Sequence, residues 1–290
     1  MAAALVRSPV GRRLVRGLLA EEETEIEARL ESEGALYWEA SRAALAVSSE
    51  AMETERALGW QDDPMHLPAS DGKVSEMAAR IARSAAVRWW SDSWDRREQI
   101  WLSRTVDPPS ATRVAEPAKR KPQTALWTSS VVEGMPSAWW PVAMSGYVGK
   151  IEELYGWRIR MDPAVRVSEI RGPQDWRELC DRFPGPSRAL RRSGPALVEP
   201  DWSSVACTFD AVHLTTAGLV TAQGVPVTIG QDVSMLWGWD AESTAWLSWR
   251  LVDATFLGTV SSARPRWNLS GTTDEDSAFR PDARSGGARP

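Results

Sequence analysis

The sequence predicts an α+β protein in which a helical N-terminal region precedes a mixed domain of short strands and helices. Two changes of texture carry that prediction. Glu, Ala, Arg and Leu dominate the first sixty residues with apolar residues at helical spacing, whereas from Ile100 onward short strand-like runs alternate with turns. A third observation is aromatic usage: seventeen Trp against three Tyr and four Phe supply large side chains for packing or for a ligand groove.

Residues 10–58 read as helical. Leu14 with Leu18, Val15 with Leu19 and Ile26 with Leu30 are i,i+4 pairs, Gly34 is a break or end, and Glu21–Glu33 is a solvated charge run. Residues 61–72 form a loop rich in Pro, Asp and Gly that includes His66, to which no role is given. Val74, Met77, Ile81 and Ala85 make an amphipathic stripe that reaches to about Trp94.

Strands are expected at 99–105, 124–129, 157–161, 165–170, 210–214, 225–229 and 243–257. Pro108, Pro109, Pro117 and Pro122 make 107–122 a loop. Residues 173–183 read as a helix opened by Pro173, and 201–209 as a helix capped by Asp201. The Pro/Gly/Arg-rich stretch 184–200 is a loop excursion. The organisation is a helical region at 1–98, an α+β domain at 99–260 and a disordered tail at 261–290, which has little to bury.

Composition limits the chemistry. A net charge of −5 argues against nucleic-acid binding driven by phosphate neutralisation. Two Cys and two His, with no CxxC, leave too few ligands for a structural zinc site, so no metal is expected. The low Cys usage suits a cytoplasmic setting. No apolar run reaches the ~18 residues of a membrane span, and Glu21-Glu22-Glu23 breaks the segment after the N-terminal arginines, so no signal peptide or membrane partner is expected.

Three pieces attach polar groups to strand-like runs. Ile100, Leu102 and Arg104 alternate onto one face, and the Arg104 guanidinium there needs an acceptor: a phosphate or a structural carboxylate. Thr128-Ser129-Ser130 end a second run that includes Trp127, and their hydroxyls suit a ribose, a phosphate or a turn. Asp240-Ala-Glu242 precede the best strand of the chain. Two acids at i,i+2 share a face of extended chain, where a carboxylate can stabilise an oxocarbenium ion or take a proton. Mid-strand His213 reads as a core histidine.

In their order, these pieces resemble the Arg, Ser-Thr-Ser and Glu-x-Glu segments of the ADP-ribosyltransferases, over residues 98–260. The resemblance implies a fold of two small packed sheets and NAD as substrate, with mono-ADP-ribosyl transfer to an acceptor such as a protein, or NAD hydrolysis. It implies that Arg104, Trp127, Thr128, Ser129 and Ser130 bind NAD, and that Glu242 with Asp240 is catalytic. Asp240 departs from the family's usual Glu or Gln, and Thr105 follows the arginine where Gly is common. The competing reading is a non-catalytic, Trp-rich interaction module. The two differ in geometry: the enzyme needs Arg104, Ser129 and Glu242 in one cleft.

Overall fold

A computed structural model describes residues 1–57, 72–109, 121–122, 124–144, 153–189, 195–261, 264–268 and 278–279. The loop expected at 61–72, with His66, lies almost wholly outside them, as does most of 107–122.

The N-terminal region is helical: α1 (Ala2–Arg7), α2 (Pro9–Leu19), α3 (Glu23–Glu31), α4 (Glu33–Ala57) and α5 (Gly72–Arg83). Ser8 sets the start of α2. Its Oγ accepts from Gly11 N at 2.7 Å, and Pro9 occupies the first turn, where its missing N–H costs nothing. Leu14, Val15 and Leu18 are buried, as the i,i+4 spacing predicts. The break expected at Gly34 falls two residues earlier, at Ser32 between α3 and α4. Gly34 lies inside α4, where a Cβ would stand 2.0 Å from the Glu133 carbonyl oxygen, so glycine permits a close approach of the chain there. The glutamates of α3 are mostly exposed. Arg29 pairs with Glu21 and Glu39, and Arg80 pairs with Glu23 and Glu27.

Short 3-10 turns at Ala85–Val87 and Trp94–Arg96 replace the end of the long helix expected up to Trp94. Then come β1 (Gln99–Ser103), β2 (Leu126–Ser130), α6 (Trp140–Met144), β3 (Glu153–Met161), β4 (Val167–Ile170) and α7 (Pro173–Arg182). They are followed by β5 (Arg188–Ala189), β6 (Ala196–Leu197), α8 (Trp202–Thr208), β7 (Ala211–Leu214), α9 (Thr216–Ala222), β8 (Pro226–Ile229) and β9 (Asp232–Met235). The chain continues with β10 (Ser243–Trp246), β11 (Leu251–Ser261), β12 (Arg264–Asn268) and β13 (Ala278–Phe279). Asp201 caps α8, accepting from Ser203 N.

One sheet runs β12-β11-β3-β1-β2-β10-β7-β4, with β13 also on β11; a second runs β5-β6-β9-β8. The fold is thus mixed α+β with two sheets of unequal size. The single strand expected at 243–257 is two. After β10, the Leu247 and Ser248 amides donate to the Asp210 carbonyl at 2.8 and 3.0 Å. The chain then re-enters the sheet beside β3, on the far side of β1 and β2. The tail expected to be disordered from 261 supplies the last residue of β11 and all of β12 and β13; the rest of it lies outside the described residues. The 184–200 excursion likewise supplies the paired strands β5 and β6.

The largest apolar cluster joins Leu5, Leu14 and Leu36 of the helices to Val212, Leu214 and Ala245 of the sheet. A boundary at residue 98 therefore separates two textures but not two cores. Trp90, Trp176, Trp202, Trp239 and Trp246 are among the largest fully buried side chains, so packing absorbs much of the tryptophan.

Helix α9 lies wholly in this core. At Gly218 a Cβ would sit 2.1 Å from the Ile170 carbonyl oxygen. Alanine usually favours a helix by ~1 kcal/mol over glycine, but here backbone meets backbone and the clash decides the sign. Gly218→Ala is expected to lose about 2–3 kcal/mol in urea unfolding. Unchanged stability would mean that α9 stands further from β4.

Candidate functional site

The register of the central strands sorts the expected site residues by face. β1 and β2 are antiparallel, with Gln99 opposite Ser130 and Ile100 opposite Ser129. β10 is antiparallel to both β2 and β7, so Thr244 lies between Thr128 and His213. Side chains alternate along each strand. Thr128 and Ser130 therefore share one face with Gln99, His213 and Thr244, while Ser129 and Trp127 lie on the other.

On the first face is a buried polar cluster. The Glu242 carboxyl accepts from Ser130 N at 2.9 Å and from Ser130 Oγ at 3.0 Å. Its own amide donates to Tyr37 Oη at 2.9 Å, and Tyr37 donates on to the Ala138 carbonyl. Gln99 Oε1 accepts from Thr128 at 2.8 Å, Gln99 Nε2 donates to the Trp94 carbonyl, and Trp246 Nε1 donates to Thr128 Oγ1 at 2.9 Å. His213 Nδ1 stands 3.0 Å from Thr244 Oγ1 and 3.7 Å from Glu242 Oε1.

Glu242 and His213 are each 1% exposed. Burial pushes the Glu242 carboxyl up to about 7, against the opposing hydrogen bonds from Ser130 and the charge of Arg97. Burial also pushes His213 down to about 3, leaving a neutral imidazole. The cluster is a filled polar core with its donors and acceptors matched to one another.

Asp240 does not join it. The residue adopts φ 61°, in the left-handed region, so the chain is not extended there and the i,i+2 rule does not apply. Its carboxyl accepts from Ser48 of α4, and its amide donates to Gln223 Oε1 at 3.1 Å. Gln223 Nε2 in turn donates to the Ala44 carbonyl and to Ser48. Asp240 thus fastens the loop before β10 to α4. Burial raises its carboxyl, opposed by Ser48, Lys121 and Gln223.

Arg104 is elsewhere. It follows the end of β1 and is exposed, five residues past Gln99, or roughly 16 Å along an extended chain. The Ser130–Glu242 contact is at the Gln99 end. Arg104 and Glu242 therefore occupy opposite ends of the β1–β2 pair, and the single cleft expected for Arg104, Ser129 and Glu242 is not formed. Ser129 turns to the second face, where its Oγ lies 2.6 Å from Ser137 Oγ and accepts from Trp139 N at 3.2 Å.

What Arg104 does line is a groove of about 450 Å³, together with Trp101, Lys121, Leu126, Trp127 and Trp139. Trp127 meets Trp139 and Trp239 edge-on, at centroid distances of 6.3 and 4.9 Å. Lys121 Nζ stands 5.6 Å from the Trp127 ring centre and donates to the Gly238 carbonyl. Trp139 Nε1 is buried without a hydrogen-bond partner. Arg104 and Trp127, expected beside Ser129 and Glu242, line this groove instead, together with Lys121, which sequence reading does not single out. The basic run Lys119-Arg120-Lys121 in a Pro-rich stretch was its only signal.

Among the described residues no group of three or more His, Cys, Asp or Glu could hold a metal ion, and no helix is long and apolar enough to cross a membrane. Comparison with protein-family models, curated proteins and solved structures finds no match.

Proposed function

We propose that this chain is a non-catalytic binding module whose groove between Arg104 and Trp127 takes a small, planar, anionic molecule. The observation that carries this reading is the joining of cationic Arg104 and Lys121 to three tryptophan walls in one groove. A guanidinium offers a planar fork to carboxylate or phosphate oxygens, and indole walls take a flat ring. The groove's size favours a small molecule, since such sites span roughly 300–1,000 Å³, over a protein partner, which needs ~800 Å² from each side. A second groove of about 530 Å³, lined by Trp38, Glu133 and Trp140, has a carboxylate and no cation, and does not suit an anion.

NAD belongs to the proposed ligand class through its diphosphate and flat rings, with Arg104 as the phosphate contact. ADP-ribosyl transfer is the less favoured reading. It needs Glu242 at the ribose, and that carboxyl is engaged by Ser130 inside the core. Purified protein incubated with labelled NAD is expected to release no nicotinamide above a protein-free control. The two free thiols, Cys180 and Cys207, are compatible with a reducing cytoplasm.

The test of binding uses pyridoxine 5′-phosphate, a flat ring with one phosphate, followed by tryptophan fluorescence. Arg104→Lys keeps the charge and loses the fork, so affinity is expected to fall about tenfold, or ~1.4 kcal/mol. The residue is exposed, so stability should move by no more than ~0.5 kcal/mol. Destabilised protein with unchanged affinity would return Arg104 to a structural role.

A further inference from the structure

We propose that Lys121 forms a reversible imine with an aldehyde or ketone whose flat body lies against the tryptophan walls and whose anionic group meets Arg104. The inference rests on the groove being a binding site for planar anions, and it adds a covalent step there.

Four observations converge on Lys121. Its side chain lines the groove with Trp127, Trp139 and Arg104, so an amine, aromatic walls and an anion contact share one space. Its ammonium lies over the Trp127 ring, 5.6 Å from the centroid, and the side chain is half-buried. Its hydrogen-bond acceptor is a neutral carbonyl, that of Gly238, rather than a carboxylate. The Asp240 carboxyl nearby is already bonded by Ser48. Burial lowers the basicity of Lys121, and the charge of Asp240 only partly restores it, so more of the amine is free of its proton than on an exposed lysine. A lysine desolvated in an apolar site is the usual means of activating an amine toward carbonyl compounds.

The chemistry balances without a further reactant. Lys121 loses its ammonium proton to solvent. The amine lone pair then forms a C–N bond to the carbonyl carbon. The carbonyl oxygen departs as water with the two remaining amine protons, leaving C=N. If the imine nitrogen takes up a proton, its N–H can still donate to the Gly238 carbonyl.

The chain has four lysines, Lys73, Lys119, Lys121 and Lys150, so labelling can be mapped residue by residue. The experiment adds substoichiometric pyridoxal 5′-phosphate to the full chain, reduces with borohydride, and maps the modified lysines by mass spectrometry. Lys121 is expected to carry at least about tenfold more label than any other lysine, a preference of ~1.4 kcal/mol. Excess pyridoxine 5′-phosphate, which has an alcohol in place of the aldehyde, should protect it, and Arg104→Ala should reduce its labelling. Even labelling of all four lysines, or Lys121 labelling indifferent to Arg104→Ala, overturns the proposal. If pyridoxine 5′-phosphate binds and Lys121 stays unlabelled, the imine falls and the binding reading stands. If neither compound binds, both fall. The labelling site is read on wild-type protein, so the test does not depend on a Lys121 variant folding.

Discussion

Glu242→Ala is expected to destabilise the protein by about 3–5 kcal/mol, the sum of two orphaned buried donors and a cavity. Both Ser130 donors, the amide and the hydroxyl, point at this carboxyl, and no water reaches them when Glu242 is 1% exposed. The damage would spread beyond one side chain, because Ser130 also contacts Gln99 Nε2 and Gln99 accepts from Thr128 and Thr244. Ser130→Ala removes one hydroxyl and should cost less, ~1–2 kcal/mol. Urea unfolding of the two variants at pH 5, where the carboxyl carries its proton, measures both. A loss below 1 kcal/mol for Glu242→Ala would mean that water enters the cluster.

The second large effect is a pair of opposed pH dependences that the wild-type protein largely conceals. The Glu242 carboxyl is raised from 4.5 to about 7, so between those values the folded state holds a proton the unfolded state has lost. Its contribution therefore falls as pH rises from about 4.5 to 7, by about 3 kcal/mol. His213 is lowered from 6.5 to about 3, so the unfolded state holds the extra proton, and its contribution rises over that interval by about 5 kcal/mol. From pH 4.5 to 6.5 the two slopes oppose one another.

Glu242→Gln is close to isosteric and removes the falling limb, so its stability should gain on wild type as pH rises from 5 to 8. His213→Gln removes the rising limb, so its stability should lose on wild type between pH 3 and 6. The charges facing the pair, Arg97 toward Glu242 and Arg171 toward His213, are present in all three proteins and cancel in the comparison. Parallel curves for wild type and Glu242→Gln would show that the carboxyl titrates as an exposed group.

Much of the architecture is legible in the sequence because it follows from local chemistry. Pro173 opening α7, Asp201 capping α8 and the i,i+4 leucines of α2 need only neighbours a few residues away. What the sequence hides is non-local. Helix α9 is buried on all sides, so Thr216–Ala222 carry no amphipathic stripe to read. The break after Trp246 is imposed by Asp210, thirty-six residues earlier, which takes the Leu247 and Ser248 amides.

The candidate residues stand out by type, and their arrangement does not. Trp127 and Arg104 do line one groove, and Ser130 does meet Glu242. Yet Thr128, Ser129 and Ser130 divide between two faces, and the left-handed turn at Asp240 separates two acids that simple alternation would have paired. Register and one positive φ decide these placements, and no residue type announces either.

A ligand can meet the β1–β2 pair at the Arg104 end or at the Glu242 end. The direct measurement is a titration of wild type, Arg104→Lys and Glu242→Gln with pyridoxine 5′-phosphate at pH 7.5, with folding of each checked by circular dichroism. Glu242→Gln should bind as wild type does, and Arg104→Lys should bind about tenfold more weakly. Loss of binding in folded Glu242→Gln, with Arg104→Lys unchanged, would rule out the groove and move the site to the buried carboxyl.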